Sequence, residues 1–304
     1  MTLGIIVAVI GAFAFAAAAV LQALGADQVA QRAAIREERR ESNKAHPSLR
    51  STAATMLTVP FLIGFIFDIV GFIATLASAR LIPLFLSQTI ISARLVATAL
   101  LAMVVLKVGL STRDWIAGAV VVFSLILLAV SAGREGADDM WWMHWAVLVA
   151  GLGLFGLGLV VMRTMRRHIA AATGLIAGAV FGVMAVASRI LDGVSPFEPG
   201  VLFTDPALYA LLLSGMGGFY LFTVALQTGS VNGAAAALVV GQTVLPGAVG
   251  LIFLGDLVRD GWGPAAIVAF VASVLGGVVL ASSSAVTAVE KADLTNRPAG
   301  YGHG

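Results

Sequence analysis

Two opposite charges fall inside long apolar segments of this chain. Asp68 and Arg94 stand thirteen residues before and thirteen residues after Leu81, where the pattern of hydropathy predicts a turn. In an antiparallel hairpin of helices, equal distance from the turn means equal depth, so the two side chains are predicted to meet. A charge at the centre of a bilayer costs about 3 kcal/mol on insertion scales and commonly marks a functional site. Two interpretations stay open, a structural ion pair and a substrate or coupling site.

Uncharged polar residues accompany Arg94. Gln88 and Ser92 precede it on the same predicted helix, and the dipeptide Gln242-Thr243 repeats the dipeptide Gln88-Thr89 far along the chain. Such side chains avoid lipid, so they are expected to face other helices or water. We expect Arg94 to hold an anionic group and Asp68 to orient Arg94 or carry a coupling proton. The predicted substrate-binding residues are Asp68, Gln88, Ser92, Arg94, Gln242 and Thr243.

The elements that position these residues are membrane-spanning helices. The chain has 304 residues, of which 60% are hydrophobic and 11% charged, and its mean hydropathy is +1.00. A bilayer crossing needs about 20 apolar residues, and in lipid every backbone polar group must be satisfied internally. The sequence therefore predicts an all-α polytopic membrane protein with about nine transmembrane helices, at residues 3–23, 54–77, 83–106, 114–131, 141–162, 169–189, 206–227, 232–254 and 263–283.

The basic residues are distributed unevenly between the turns. If the first turn is cytoplasmic, 13 Lys and Arg residues lie inside and 4 lie outside, with Arg94 in the membrane. Basic residues are retained on the cytoplasmic side during insertion. We expect a multi-pass protein of the cell membrane with its amino terminus outside and its carboxyl terminus in the cytoplasm. The outer turns would then be acidic, and Asp256 in one of them is expected to be solvated.

The chain also contains a weak internal repeat. Residues 65–132 and 216–283 share a rhythm of three spans and two tight turns, and the predicted orientation makes the copies inverted. Inverted repeats are typical of secondary transporters, whose sites lie at the repeat interface near mid-membrane. We expect a first repeat at 1–140 with about four spans and a basic cytoplasmic loop at 27–51. A second repeat with about five spans would occupy 141–284, before a disordered cytoplasmic tail at 285–304.

Several kinds of chemistry find no support in the sequence. There is no cysteine, and His46, His144, His168 and His303 show no ligand spacing along the chain, so we expect no metal site. The phosphate-binding pattern G-x-x-x-x-G-K-[ST] does not occur, and the G-x-G-x-x-G at 151–156 lies inside an apolar span. We therefore expect no catalytic residue, no enzyme activity, no cofactor and no nucleic-acid partner.

A glycine stripe in the sixth predicted span suggests close helix contact. Gly174, Gly178 and Gly182 form a tandem G-x-x-x-G pattern, which lets two helix backbones approach each other. The stripe is predicted to serve packing within the chain, and a homodimer interface is the alternative.

The two repeats resemble the module of the drug/metabolite transporter superfamily (EamA-like). The resemblance covers 72–133 and 220–284. In the second copy it is carried by Thr228-Gly229-Ser230, Pro246, Leu254-Gly255-Asp256 and Gly276-Gly277. The family usually has glutamate where this chain has Asp256, and the first copy has no acid in its corresponding turn at 106–109.

The resemblance implies a secondary transporter fold, although the family plan has ten spans and this chain has about nine. A single opening helix followed by a basic loop is similar to the NIPA-type magnesium transporters. We expect a carrier of a small metabolite or a lipid-linked anionic compound that works by alternating access in the lipid bilayer. The alternatives are a transporter of magnesium or another divalent cation, and a non-transporting membrane partner subunit.

Overall fold

Helices make up most of the described chain, as the apolar runs predict. The computed structural model describes residues 1–38, 58–105, 107, 109–136, 140–165, 169–194, 197–228 and 231–283. Within these residues no strand occurs, and nine spans are long and apolar enough to cross a membrane. The chain is therefore an all-α, multi-pass membrane protein. In chain order the helices are α1 (Thr2–Glu38), α2 (Val59–Leu81), α3 (Leu84–Ser92), α4 (Arg94–Val105), α5 (Thr112–Ser131), α6 (Trp141–Thr164), α7 (Ile169–Ile190), α8 (Pro199–Thr204), α9 (Pro206–Thr228), α10 (Val231–Phe253) and α11 (Gly263–Ala281).

The second span lies later in the chain than predicted. Helix α2 begins at Val59 because Pro60 suits the first turn of a helix, and it ends where Ile82 becomes extended. The turn is thus at Ile82 and Pro83 rather than at Leu81. Asp68 and Arg94 consequently lie about 14–15 and 11–12 residues from it, a difference of about 4–5 Å along the helix axes.

The basic loop predicted at 27–51 is helical in its first part. Helix α1 continues without a break to Glu38, well beyond its membrane-spanning portion Thr2–Gly25. Residues 39–51 of that loop lie outside the described part of the chain, as does the tail predicted at 285–304.

Helices α1 and α2 pack closely along small residues spaced seven apart. On α1 these are Gly4, Gly11, Ala18 and Gly25, and on α2 they are Gly64, Gly71 and Ser78. A Cβ on Gly11 would lie 2.9 Å from that of Ala74, and a Cβ on Gly64 would lie 3.0 Å from the carbonyl oxygen of Ala18. A seven-residue period is the signature of left-handed helix pairing. The opening helix is therefore part of the bundle.

The glycine stripe of α7 is also used inside the chain. A Cβ on Gly174 or Gly178 would overlap the carbonyl oxygens of Ala234 and Leu238 on α10, and one on Gly182 would lie 2.8 Å from Cδ of Pro246. Helix α7 also packs against α9, much as α1 packs against both α2 and α4. The stripe thus brings together α7 and α10 within one chain, which is the packing role predicted for it.

Candidate functional site

Helices α3 and α10 cross in the middle of the bundle and run antiparallel. Gly250 of α10 approaches Leu84 at the start of α3, and Gly247 approaches Phe85. At the other end of α3, the side-chain nitrogen Nε2 of Gln242 donates a 3.1 Å hydrogen bond to Oγ of Ser92. The structure therefore brings together two predicted site residues that lie 150 positions apart in the chain.

Both helices are irregular at this crossing. The third span is interrupted at Ala93, so that α3 ends at Ser92 and α4 begins at Arg94. In α10, Pro246 lies inside a continuous helix and cannot donate the helical hydrogen bond to the carbonyl of Gln242. The offset of 154 residues that takes Gln88 to Gln242 also takes Ser92 to Pro246. The same offset takes the break at Ala93 to Gly247, so the two irregularities lie at adjacent positions of the two predicted repeats.

A small cavity lies beside the crossing. Its volume is about 10 Å³, which is room for about one water molecule. Its polar lining comes from Ser92, Thr243 and Ser273, and none of its lining residues is charged. The hydroxyl of Thr243 donates to the carbonyl oxygen of Val239 at 2.6 Å, so this side chain is satisfied within its own helix.

Gln88 carries an unsatisfied donor in this region. The side chain is only 5% exposed, and its Nε2 has no hydrogen-bond partner among the described residues. Because Gln88 precedes Ser92 by four residues, the two share one face of α3. An unpaired amide donor in a buried site is costly, so it is a natural contact for a bound molecule or water.

Asp68 and Arg94 both contact helix α1. Nε2 of Gln22 donates a 2.5 Å hydrogen bond to the Asp68 carboxylate. The Arg94 guanidinium lies over the ring of Phe15, 5.2 Å from its centre, in a cation–π geometry. Both charged side chains are half-buried. Arg94 is not among the residues that line the small cavity, although its neighbours Ala93 and Leu95 are.

A buried ion pair that sequence reasoning missed lies at the other end of the α3–α10 crossing. This end of the bundle, where α2, α5, α7 and α10 finish and α3, α6, α9 and α11 begin, is called the acidic end below. There, Arg189 and Asp256 lie 3.1 Å apart with side chains only 7% and 0% exposed. The expectation that Asp256 is solvated is wrong, because its carboxylate also accepts hydrogen bonds from the backbone N–H of Leu84 (2.6 Å) and Gly136 (2.9 Å).

This ion pair ties the two halves together. The Arg189 guanidinium donates to the carbonyl oxygens of Ala79, Ile82 (2.8 Å) and Gly136 (2.9 Å). Backbone hydrogen bonds join the segment after α5 to the segment after α10, from Gly133 to Leu257 and from Leu257 to Arg134. The acidic end is therefore closed over the α3–α10 crossing.

A second cluster at the acidic end consists of His144, Asp192 and Asp205. Nδ1 of His144 lies 2.7 Å from Oδ1 of Asp205, and both side chains are buried. The sequence predicts no metal site because the histidines lack ligand spacing along the chain. Spacing along the chain does not show that the start of α6, the end of α7 and the start of α9 meet. The sequence contained one signal for Asp205: it precedes Pro206, and proline is favoured at the first position of a helix, here α9.

No protein-family model, curated protein or solved structure matches this chain in comparisons with known proteins.

Proposed function

We propose that this protein is a secondary transporter that moves a small polar metabolite or a lipid-linked anionic compound across the cell membrane by alternating access. The observation that carries the proposal is the Gln242–Ser92 hydrogen bond, which joins two irregular helices that are counterparts in the two predicted repeats. Interrupted helices at a repeat interface are typical of transporter sites. The unpaired donor of Gln88 supports a ligand that offers hydrogen-bond acceptors.

The surroundings favour a metabolite over magnesium at this crossing. Mg²⁺ is bound through carboxylates and retained waters, whereas the cavity lining is uncharged. Asp68 is the carboxylate nearest to the membrane centre in the predicted topology, and it is held by Gln22 in the groove between α1 and α2. In the proposal Arg94 contacts an anionic group of the substrate once the groove beside Phe15 opens.

The small volume of the cavity sets a condition on this proposal. About 10 Å³ accommodates no metabolite, so transport requires a second conformation in which the α3–α10 crossing opens. The same volume favours the second candidate, a non-transporting membrane partner subunit, whose interior would stay closed. The two candidates therefore differ in whether the crossing ever becomes accessible to water.

Cysteine labelling distinguishes them, because the chain has no cysteine of its own. Ser273 is 5% exposed and lines the cavity. In Ser273→Cys, a membrane-impermeant thiol reagent is expected to modify the cysteine from either side of the membrane, in intact cells and in inverted vesicles. Access from both sides to one residue is the consequence of alternating access.

The matched control is Phe123→Cys on α5, whose side chain is 68% exposed toward the lipid in a span. It is expected to remain unlabelled from both sides, because the aqueous reagent does not enter hydrocarbon. Absence of labelling of Ser273→Cys from both sides, in a protein that unfolds at the wild-type temperature, would remove the transport proposal and leave the partner subunit.

A further inference from the structure

The cluster at the acidic end has the composition of a metal site. One imidazole nitrogen of His144 and one carboxylate oxygen each of Asp192 and Asp205 lie within 4.8 Å of one another. Zn²⁺ binds nitrogen and oxygen ligands at about 2.0–2.2 Å in tetrahedral geometry, so any two ligand atoms of one ion lie about 3.3–3.6 Å apart. Side-chain movements of up to about 1.5 Å therefore suffice to place all three around one ion.

The backbone holds these ligands in position. Asp205 Oδ1 accepts a hydrogen bond from the N–H of Ala207 (2.8 Å), and Oδ2 accepts one from the N–H of Asp192 (2.8 Å). Nδ1 of His144 and Oδ1 of Asp205, 2.7 Å apart, are already held next to each other. Three separate elements, α6, the segment after α7 and the start of α9, thus converge with little freedom.

The cluster opens into a surface pocket. The pocket has a volume of about 370 Å³, and its lining includes all three residues together with Trp141, Trp145 and Thr204. Asp192 is exposed in it, whereas His144 and Asp205 are 8% and 6% exposed. An ion can therefore enter from water, and water can complete its coordination, as at metal sites with an open position.

We propose that His144, Asp192 and Asp205 bind one Zn²⁺-type divalent ion at the acidic end. One nitrogen and two carboxylate oxygens suit a borderline metal such as Zn²⁺, because Mg²⁺ and Ca²⁺ prefer oxygen ligands alone. Bound there, the ion links α6 to the start of α9. This inference concerns a site apart from the α3–α10 crossing and stands whether or not the chain transports a substrate.

The local charge is compatible with a cation. The guanidinium of Arg80 interacts electrostatically with Asp192 and Asp205, and it donates hydrogen bonds to the carbonyl oxygens of Ser188 (2.7 Å) and Leu191. One guanidinium offsets one of the two carboxylates. The two carboxylates and this guanidinium together retain one net negative charge, which attracts a divalent cation.

The test is a titration of the full chain, purified without an affinity tag and treated with a chelator, with Zn²⁺ in detergent. We expect one equivalent to bind in calorimetry, and Co²⁺ to give visible absorption bands of nitrogen and oxygen ligation. Asp192→Asn is expected to weaken Zn²⁺ binding at least tenfold. Its side chain is exposed, so the thermal unfolding temperature without metal should stay at the wild-type value.

The matched control is Glu198→Gln, which removes another exposed carboxylate from the segment between α7 and α9. It should bind Zn²⁺ like the wild type. His144→Gln should lose the Co²⁺ bands and provides a second, independent variant. Wild-type affinity in Asp192→Asn, or no stoichiometric binding by the wild type, would overturn the inference. Neither result affects the labelling expected for Ser273→Cys, so the two proposals fail separately.

Discussion

At the scale of single residues, Gln88 and Gln242 differ despite their equivalent positions in the two predicted repeats. Nε2 of Gln242 is paired with Ser92, whereas Nε2 of Gln88 has no partner among the described residues. Both side chains are buried. A paired amide stabilises the helix crossing, and an unpaired one destabilises it unless a ligand or a water supplies the acceptor. The same residue type therefore has opposite energetic roles in the two copies.

This asymmetry predicts the effect of replacing Gln88. Gln88→Met is of similar size and removes the unpaired donor, so we expect the free energy of unfolding to rise by about 1–3 kcal/mol in the absence of ligand. Chemical unfolding in detergent micelles measures the change. The matched substitution Gln242→Met removes a paired donor and leaves Ser92 without it, so it should lower the stability. A loss of stability in Gln88→Met would show that this amide is already satisfied in the apo protein.

The charged residues could be located only in part from the sequence. Asp68 and Arg94 were predicted to lie in the membrane, because apolar runs surround them, and they do lie within spans α2 and α3–α4. Their contacts with Gln22 and Phe15 depend on how α1 packs, which no spacing along the chain encodes. The role of Arg94 in holding an anionic group stays a prediction.

At the scale of elements, the Arg189–Asp256 pair closes the acidic end. It contacts the end of α2, the start of α3, the segment after α5 and the segment after α10. A buried ion pair is weak evidence for net stability, but removal of one partner leaves an uncompensated charge. Under the proposed alternating access, an opening of the bundle at this end must separate these contacts.

Replacement of Asp256 tests whether the Arg189–Asp256 pair stabilises the closed acidic end. Asp256→Asn keeps the shape of the side chain and leaves Arg189 without its buried counter-charge, so we expect a loss of stability of about 3–5 kcal/mol. Thermal and chemical unfolding measure the loss. Asp260→Asn removes an exposed carboxylate four residues later and should leave the stability unchanged. Equal stability of the two variants would mean that the pair contributes nothing to closure of this end.

At the scale of the whole molecule, the packing of the nine described spans can be compared with the predicted plan of two repeats. Helix α1 packs on α2 and α4 as α7 packs on α9 and α10, and α5 packs on α11. Helix α6 packs on α7 and α9 and has no counterpart in the described part of the first half. The repeat of α2–α5 by α9–α11, with which these contacts are compatible, stays a prediction.

The orientation of the bundle that the charge distribution predicts can be tested by labelling. Asp260 at the acidic end and Arg113 at the opposite end are both exposed. In the chain without native cysteines, Asp260→Cys is expected to react with an impermeant reagent in intact cells, and Arg113→Cys only in inverted vesicles. The reason is the retention of basic residues inside during insertion. The reverse labelling pattern would invert the topology and place the His144 cluster in the cytoplasm.

The sequence by itself determined the number, type and approximate bounds of the spans. A run of about 20 apolar residues has one stable form in lipid, because only a helix satisfies its backbone internally. It also placed Gln242 among the predicted substrate-binding residues with Gln88 and Ser92, since the dipeptides Gln88-Thr89 and Gln242-Thr243 repeat.

Only the tertiary structure decided the interruption at Ala93, the burial of Asp256 and the meeting of His144, Asp192 and Asp205. These features arise where the ends or faces of distant helices come together. Hydropathy indicates how apolar each segment is, and it does not show which other helix packs against that segment. Side-chain partners in a helical membrane protein are set by packing between helices, and packing is a property of the assembled bundle.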